Sequence, residues 1–403
     1  MHEISAIISQ CMKFVFLSLI FIFCFTSFNQ VVFYKKIGGK NYDALADILV
    51  TRSGDLLAVG RTDSYSQDMN INLIKFDTQG NIIWDRTYGG NETEGASAII
   101  QTQEGGFLVA GYSDSNAENA NENDVWLLKI NANGEKEWER FYKTPDSIDE
   151  AQGLVETEEG NFLIVGNTTS LSAGNTDIFV MKVNKKGDIL WQKKYGEIEG
   201  EQAGHIISTS QGFMIIGSKE IPKKRWDMWL LHIDKQGEIL WNQNYGGSDN
   251  EMGNALAIMP DGSYVLAGFT YTYAEGSLDA WVVKINQKGE KIWDKTLGGL
   301  STDEVFDVII TKEKNILIAG YTDMYVPDKN YNNTSNNGND VLVALLDANG
   351  NELWKEIIGG LGTQRAYGIV EKDEAYFLAG YADENGNSGT DHLIIKINSN
   401  RDK

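Results

Sequence analysis

Six carboxylates stand at one position of a repeated sequence unit, shortly after a Tyr-Gly-Gly-like element. They are Asp43, Glu94, Asp149, Glu201, Glu251 and Asp303, with Gln364 at the same place in a seventh unit. A ring of acids predicts either a cation site or a carboxyl pair for glycoside hydrolysis, which needs two carboxyl groups about 5–10 Å apart. The same placement also fits side chains that cap the amides of a turn. The sequence leaves both interpretations open.

Aromatic residues on or beside the longest predicted loops form a second candidate set. They are Tyr112, Trp226, Tyr271, Tyr273, Tyr321 and Tyr381. Aromatic rings stack on sugars or anchor a protein ligand, so this set predicts a binding surface. The alternative is that residues next to a repeated glycine pack on the neighbouring unit instead.

Other catalytic and cofactor signatures are absent from the sequence. His205, His232 and His392 fall in three different units, which does not favour a shared metal site, and neither a Gly-x-Ser-x-Gly elbow nor a phosphate-binding glycine loop is present. A segment from Asp383 to Asp391 partly resembles a calcium loop, but its glycine is at the fourth position instead of the sixth. We therefore expect no catalytic residue and no cofactor, with Ca²⁺ as the open alternative.

The net charge of the chain restricts the classes of partner that it is expected to bind. The 403 residues include 35 basic and 57 acidic side chains, which gives a net charge of −22. Nucleic acids and anionic membrane surfaces are recognised by Lys and Arg, so neither is an expected partner. A glycan or a protein ligand is compatible with this charge, and we expect a monomer.

The first 27 residues read as a secretory signal peptide. Lys13 precedes a run of 12 mostly apolar residues from Phe14 to Phe25, followed by small polar residues. The run is short for a membrane-spanning helix, which needs about 20 residues, so no stable span is expected after cleavage. A retained anchor and a start at Met12 are the alternatives. Both cysteines, Cys11 and Cys24, lie in this leader, so the predicted location is secreted, periplasmic or cell-surface.

A repeat of about 50 residues determines the predicted fold. The pattern Asp/Asn-x-x-Gly-x-x-x-Trp occurs six times, ending at Trp84, Trp138, Trp191, Trp241, Trp293 and Trp354. Within one unit, turn residues separate four β-prone segments at 96–102, 107–112, 125–130 and 136–142. No stretch has sustained helical periodicity. Four strands per unit of this length are typical of propeller blades, so the chain is predicted to be all-β.

Counting the Tyr-Gly-Gly-like elements gives seven units. The last unit ends after three strands, while residues 31–37 form a spare strand before the first unit. We therefore predict one seven-bladed β-propeller over residues 31–398, with residues 31–37 completing the last blade and a short tail at 399–403. Such closure removes the exposed sheet edges that favour aggregation.

With these motifs, the chain resembles a family of secreted bacterial and archaeal seven-bladed propeller proteins over nearly all of residues 31–398. The shared repeat reads Tyr-Gly-Gly, an acid, Asp-Gly-Gly, Ala-Gly, Asp-x-Trp-x-x-Lys and Asp-x-x-Gly-x-x-x-Trp. The last element is also distantly similar to the repeat of quinoprotein propellers and to the Asp-box of sialidases, which needs a preceding Ser. The resemblance implies a fold and a secreted location, but no shared activity.

The connections between second and third strands are long and differ among units, and they are expected on one face of the propeller. Variation confined to one rim of a rigid scaffold is typical of binding sites. The sequence therefore predicts an extracytoplasmic, non-catalytic binding or scaffold protein for a glycan or protein on that face. The alternative is a carbohydrate-active hydrolase that uses acids such as Glu94, Glu201 or Glu251.

Overall fold

A computed structural model describes residues 31–65, 68–115, 123–144, 147–169, 176–222, 225–323, 338–360, 362–383 and 389–399. These residues form 28 strands in seven antiparallel four-stranded sheets, and no helix is found among them. The leader, residues 384–388 of the calcium-like segment, residues 400–403 of the predicted tail and parts of the long loops, among them 116–122 and 324–337, lie outside the described residues.

The strands of each sheet follow one another along the chain. The first strands are β2 (Asp43–Val50), β6 (Glu94–Gln101), β10 (Asp149–Glu156), β14 (Glu201–Ser208), β18 (Glu251–Ile258), β22 (Asp303–Ile310) and β26 (Thr363–Lys372). The second strands are β3 (Leu56–Thr62), β7 (Phe107–Ser113), β11 (Phe162–Thr168), β15 (Gly212–Glu220), β19 (Tyr264–Thr270), β23 (Ile316–Thr322) and β27 (Ala375–Asp383). The third strands are β4 (Asn70–Phe76), β8 (Asp124–Ile130), β12 (Asp177–Val183), β16 (Trp226–Asp234), β20 (Asp279–Ile285), β24 (Asp340–Leu346) and β28 (Asp391–Asn398). The fourth strands are β5 (Ile82–Tyr88), β9 (Lys136–Tyr142), β13 (Ile189–Tyr195), β17 (Ile239–Tyr245), β21 (Lys291–Leu297), β25 (Glu352–Ile358) and β1 (Val31–Ile37).

The predicted closure of the ring is confirmed. β1 pairs antiparallel with β28, with Lys35 opposite Ile394, and supplies the fourth strand of blade 7. The first strands of successive blades contact one another, and β26 contacts β2 in the same way. The protein is therefore an all-β, seven-bladed β-propeller, and its first strands surround the central channel.

The hydrophobic core lies between the blades. Strands β8 and β12 are buried along their whole length, since their blades are covered on both faces. Adjacent blades share clusters of apolar side chains, as Leu108 of blade 2 does with Ile164 of blade 3. The hydrophobic effect thus stabilises each blade through its neighbours.

The Trp and Tyr of the repeat join neighbouring blades. In blade 3, the ring of Trp191 lies in the cluster that blades 3 and 4 share, and the turn at Gly237 of blade 4 lies against it. The Tyr195 hydroxyl donates a hydrogen bond to the Gly237 carbonyl at 2.6 Å. The same bond joins Tyr142 to Gly187 and Tyr245 to Gly289. Each of these hydrogen bonds joins the fourth strand of one blade to the turn between the third and fourth strands of the next blade. We call such a bond a latch.

Each first strand carries a β-bulge near its start. The pairing between first and second strands shifts by one residue there in all seven blades, as between Val305 and Asp307 of β22. The second strand has a glycine opposite the bulge, and a side chain on Gly320 would overlap the carbonyl oxygen of Glu304. The bulge therefore explains why a glycine closes the apolar run of every repeat.

Candidate functional site

The six predicted acids lie at the starts of the first strands and are 0–4% exposed. Glu251 is representative. It accepts hydrogen bonds from the Gly247 amide at 2.8 Å, the Thr270 hydroxyl at 2.8 Å and the Thr272 amide at 3.1 Å. Each bond joins Glu251 to the turn before its own strand or to the end of the adjacent strand.

Equivalent bonds hold the other acids. Asp43 binds Gly39, Thr62 and Ser64, and Glu94 binds Gly90, Ser113 and Ser115. Asp149 accepts from the Ser147 hydroxyl, Glu201 lies 3.4 Å from the Lys219 ammonium, and Asp303 bonds to Thr322.

Gln364 shows what this position requires. Its amide oxygen accepts from the Gly360 amide at 3.0 Å, as the carboxylates do in other blades. A neutral acceptor therefore suffices to hold the turn. The structure brings the acids into one ring and bonds each within its own blade, while their contact with a ligand stays a prediction.

Two of the predicted aromatic residues, Tyr321 and Tyr381, belong to a cluster between blades 6, 7 and 1. The ring centroids of Phe306 and Tyr367 are 4.6 Å apart, those of Tyr367 and Tyr381 are 5.9 Å apart, and Tyr42 lies 6.4 Å from Tyr381. Tyr321 is only 6% exposed and lies 5.8 Å from Phe306. These residues pack on neighbouring blades and on one another.

Trp226, Tyr271 and Tyr273 lie apart from that cluster, in blades 4 and 5. Tyr271 and Tyr273 are 39% and 42% exposed, and the ring of Tyr273 packs 5.6 Å from that of Trp281. The Trp226 amide donates to the Asn250 side chain at 3.0 Å. The six predicted aromatic residues thus do not form a single surface among the described residues.

A cavity of about 430 Å³ occupies the central channel. All seven first strands line it, and each contributes its bulge residue. These residues are Ala46, Ser97, Gln152, Gly204, Asn254, Phe306 and Tyr367. No two are the same, although the strands around them repeat. This cavity is the candidate functional site.

Three ionisable residues that sequence reasoning missed also line the cavity: Asp47, His205 and Asp307. Each directly follows a bulge residue. The equivalent position in the other blades holds Ala or Gly. A comparison of the seven repeats could therefore have identified these three ionisable residues as unusual. The sequence pattern raised His205 only as a possible metal ligand, not as a residue of the channel. Among the described residues, no group of three or more His, Cys, Asp or Glu side chains is arranged to hold a metal ion.

The two aspartates link neighbouring blades. Asp307 accepts hydrogen bonds from the Val308 amide at 2.7 Å and, across the blade boundary, from the Ile369 amide at 2.8 Å. Asp47 accepts likewise from Ile48 at 2.7 Å and from Ile99 at 2.9 Å.

Burial in the channel changes the protonation of all three groups. It raises the pKa of Asp47 to about 6, and burial together with the charge of Asp47 raises the pKa of Asp307 to about 7. Burial lowers the pKa of His205 to about 4. Near neutral pH His205 is therefore neutral, Asp307 is about half protonated and Asp47 is mostly ionised.

The channel mouth on the long-loop face carries a guanidinium group. Arg61 is the next-to-last residue of β3, the second strand of blade 1, and donates to the hydroxyls of Tyr42 and Tyr112, each at 3.1 Å. Its guanidinium lies 4.9 Å from the centre of the Tyr42 ring. All three residues line the cavity, so the predicted residue Tyr112 is part of the site.

Comparisons with known proteins identify the fold. No family model and no curated protein matches the chain. The WD40 domain of Pan2 from Neurospora crassa is 10% identical, with 93% of this chain and 97% of that chain covered and a TM-score of 0.54. BBS1N in complex with ARL6DN is 11% identical (91% and 95% covered, TM-score 0.52). Puromycin hydrolase is 9% identical (90% and 53% covered, TM-score 0.55). At such identities the similarity establishes a propeller fold and nothing further.

Proposed function

We propose that this protein is a non-catalytic binding propeller that receives a glycan or protein ligand at the mouth of its central channel, on the long-loop face. The observation that carries the proposal is the channel lining. All seven blades repeat the bulge and the glycine that faces it, yet the seven bulge residues all differ. A cavity of about 430 Å³ lies within the range of small-molecule sites, roughly 300–1,000 Å³.

The state of the carboxylates supports binding over hydrolysis. A glycosidase needs an acid and a base that both reach the scissile bond. Glu94, Glu201 and Glu251 are at most 1% exposed, and each is bonded to its own blade. Asp47 and Asp307 each already accept two backbone amides. The hydrolase alternative therefore has no specific observation in its favour.

The leader supports an extracytoplasmic location for this binding protein. Residues 1–27 have the charge, apolar run and small polar residues of a signal peptide, and the repeat resembles that of secreted propeller proteins. Residues 31–403 contain no cysteine. In the part of the chain that the structure describes, no helix combines the length and hydropathy of a membrane span. We further propose that the protein acts as a monomer.

The test is a glycan array run beside a panel of hydrolase substrates on the purified protein. Ser97→Phe would place a phenyl group in the channel, whereas Ala132→Phe adds the same bulk to an exposed turn on the opposite face. For a glycan that the wild-type protein binds on the array, we expect Ser97→Phe to lower the affinity at least tenfold. Ala132→Phe should bind this glycan as the wild type does. The proposal would be overturned if the protein hydrolysed a substrate of the panel and if Glu94→Gln, Glu201→Gln or Glu251→Gln abolished that hydrolysis.

A further inference from the structure

Arg61 is exceptional among the seven equivalent positions of the propeller. The residue directly after the bulge-facing glycine is Arg61, Tyr112, Asn167, Ser218, Phe269, Tyr321 or Tyr381. Six blades thus have a neutral residue there, and only blade 1 has a charged one. Arg365, in the first strand of blade 7, is a second half-buried arginine near the mouth, but it donates to the Asn339 side chain and does not line the cavity. Arg61 is the one Lys or Arg among the described residues that line it. In a protein with a net charge of −22, a cation at that position needs an explanation.

Its surroundings hold the guanidinium in place without neutralising it. Arg61 is half-buried, and its hydrogen-bond partners among the described residues are the Tyr42 and Tyr112 hydroxyls. Among the described residues no carboxylate forms an ion pair with it, and its principal polar neighbours are the two tyrosines. A guanidinium has five N–H donors, so two tyrosines leave several for a ligand.

Tyr112 can lie beside Arg61 because the neighbouring residue of the first strand is Gly95. A methyl group on Gly95 would come within 2.6 Å of the Tyr112 ring. The positions equivalent to Gly95 hold Ala44, Glu150, Gln202, Met252, Glu304 and Arg365. Blade 2 alone therefore leaves room for a flat ring at this point.

Partial burial without a counter-charge is costly for a cation, and an anionic ligand would remove that cost. Guanidinium groups bind planar carboxylates through two parallel hydrogen bonds. We propose that Arg61, positioned by Tyr42 and Tyr112, binds the carboxylate of an acidic sugar at the channel mouth. This inference rests on the proposed binding function and specifies its ligand class.

The rest of the cavity favours a sugar acid. Asp47 lies five residues beyond Tyr42 along β2, roughly 13 Å deeper once the bulge is allowed for. Asp47, Gln152 and Asn254 offer hydrogen-bonding groups to hydroxyls, and the ring of Tyr367 borders the same space. A hydroxyl-rich ring with one carboxylate matches a cation at the mouth and hydrogen-bonding side chains deeper in the cavity.

The experiment is calorimetric titration of the purified protein with digalacturonate, with its methyl ester and with the matching neutral disaccharide of galactose. The ester retains the ring and loses only the charge. We expect the acid to bind at least tenfold more tightly than either neutral sugar. Arg61→Gln should weaken binding of the acid by about 10- to 100-fold, the range expected for lost hydrogen bonds to a charged group, and leave the neutral sugars unchanged.

Three further variants separate the charge from the fold. Arg52→Gln removes an exposed arginine from a turn on the opposite face and should leave the acid-to-ester affinity ratio unchanged. Arg61→Lys keeps the charge and should retain part of the preference, while Tyr112→Phe removes one hydroxyl and should reduce it. Thermal unfolding shows whether each variant is folded.

Equal affinity for the acid and its ester would overturn the inference and leave the proposed function supported by sugar binding. A tripeptide with a free carboxylate serves as a further probe. If it alone binds, and Arg61→Gln abolishes that binding, the ligand is a peptide and the acidic-sugar inference is wrong. If none of the probes binds, the inference is overturned, and the glycan array decides on the proposed function separately.

Discussion

Single residues distinguish blades that are otherwise repeated. Asp47, His205 and Asp307 directly follow bulge residues where the other blades have Ala or Gly, and all three face the channel. The two aspartates also bond across blade boundaries, so these side chains connect the stability of the ring to the chemistry of its channel.

The raised pKa of Asp307 predicts a pH dependence of stability. With a pKa of about 7 in the folded protein against 3.8 ordinarily, the folded state holds more protons than the unfolded state between about pH 4 and pH 7. The contribution of Asp307 to the free energy of unfolding then falls as pH rises through this range. Asp307→Asn removes the titrating group, so its unfolding free energy should fall less steeply with pH, as measured by urea denaturation at several pH values.

Asp347→Asn is the control for that measurement. Hydrogen bonds from the Asn351 side chain and amide lower the pKa of Asp347, so this group stays ionised in both states above about pH 5. Its loss should leave the slope between pH 5 and pH 7 as in the wild type. An unchanged slope in Asp307→Asn would contradict the assignment.

At the level of elements, the first strand of each blade is shaped by its pairing partner. The bulge places one extra residue in the channel, and the glycine opposite provides the space for it. The latches between fourth strands and turns hold successive blades against one another. The strand framework is therefore the same in every blade, whereas the residue at the bulge differs from blade to blade.

Replacing a bulge-facing glycine should be costly. In Gly320→Ala, the new methyl group would overlap the backbone carbonyl of Glu304, so we expect a loss of about 1 to 3 kcal/mol in the free energy of unfolding. Gly360→Ala is the matched control, because nothing lies within 4 Å of the position that its methyl group would take. Denaturant unfolding of both variants measures the difference, and equal stabilities would count against the bulge explanation.

For the whole molecule, closure of the ring depends on a strand that is remote in sequence from its partner. β1 pairs with β28, and Phe33 and Ile37 pack into the cluster shared by blades 7 and 1. The Lys35 ammonium donates to the Gly80 carbonyl at 2.6 Å, which joins blade 7 to blade 1. Without this strand, β28 would present an unpaired edge.

A chain that begins at residue 38 should therefore be much less stable than one that begins at residue 31. We expect a lower melting temperature and association through the open edge of β28, seen as higher oligomers in size-exclusion chromatography. The chain from residue 31 is the control, since it retains β1. Equal melting temperatures and monomers in both cases would show that the ring does not need β1 for closure.

Much of the fold was predictable from the sequence. In blade 2, the predicted strands at 96–102, 107–112, 125–130 and 136–142 match β6 to β9 within two residues at each end. Turn residues and apolar runs are local, so their spacing in seven copies sufficed to predict the strands, the number of blades and the closing strand.

The candidate site was only partly predictable. Among the described residues, Tyr112 is the one predicted site residue that lines the cavity, and the ring of acids lies outside the lining. Arg61, Asp47 and Asp307 were not predicted, because nothing in their local sequence marks a bulge or a channel. A bulge arises from the pairing of two strands, and the channel exists only when seven blades close. Local patterns along the chain predict the blades and their order. Which side chains share the channel depends on how the blades assemble, since residues as distant as 47 and 307 meet only through ring closure.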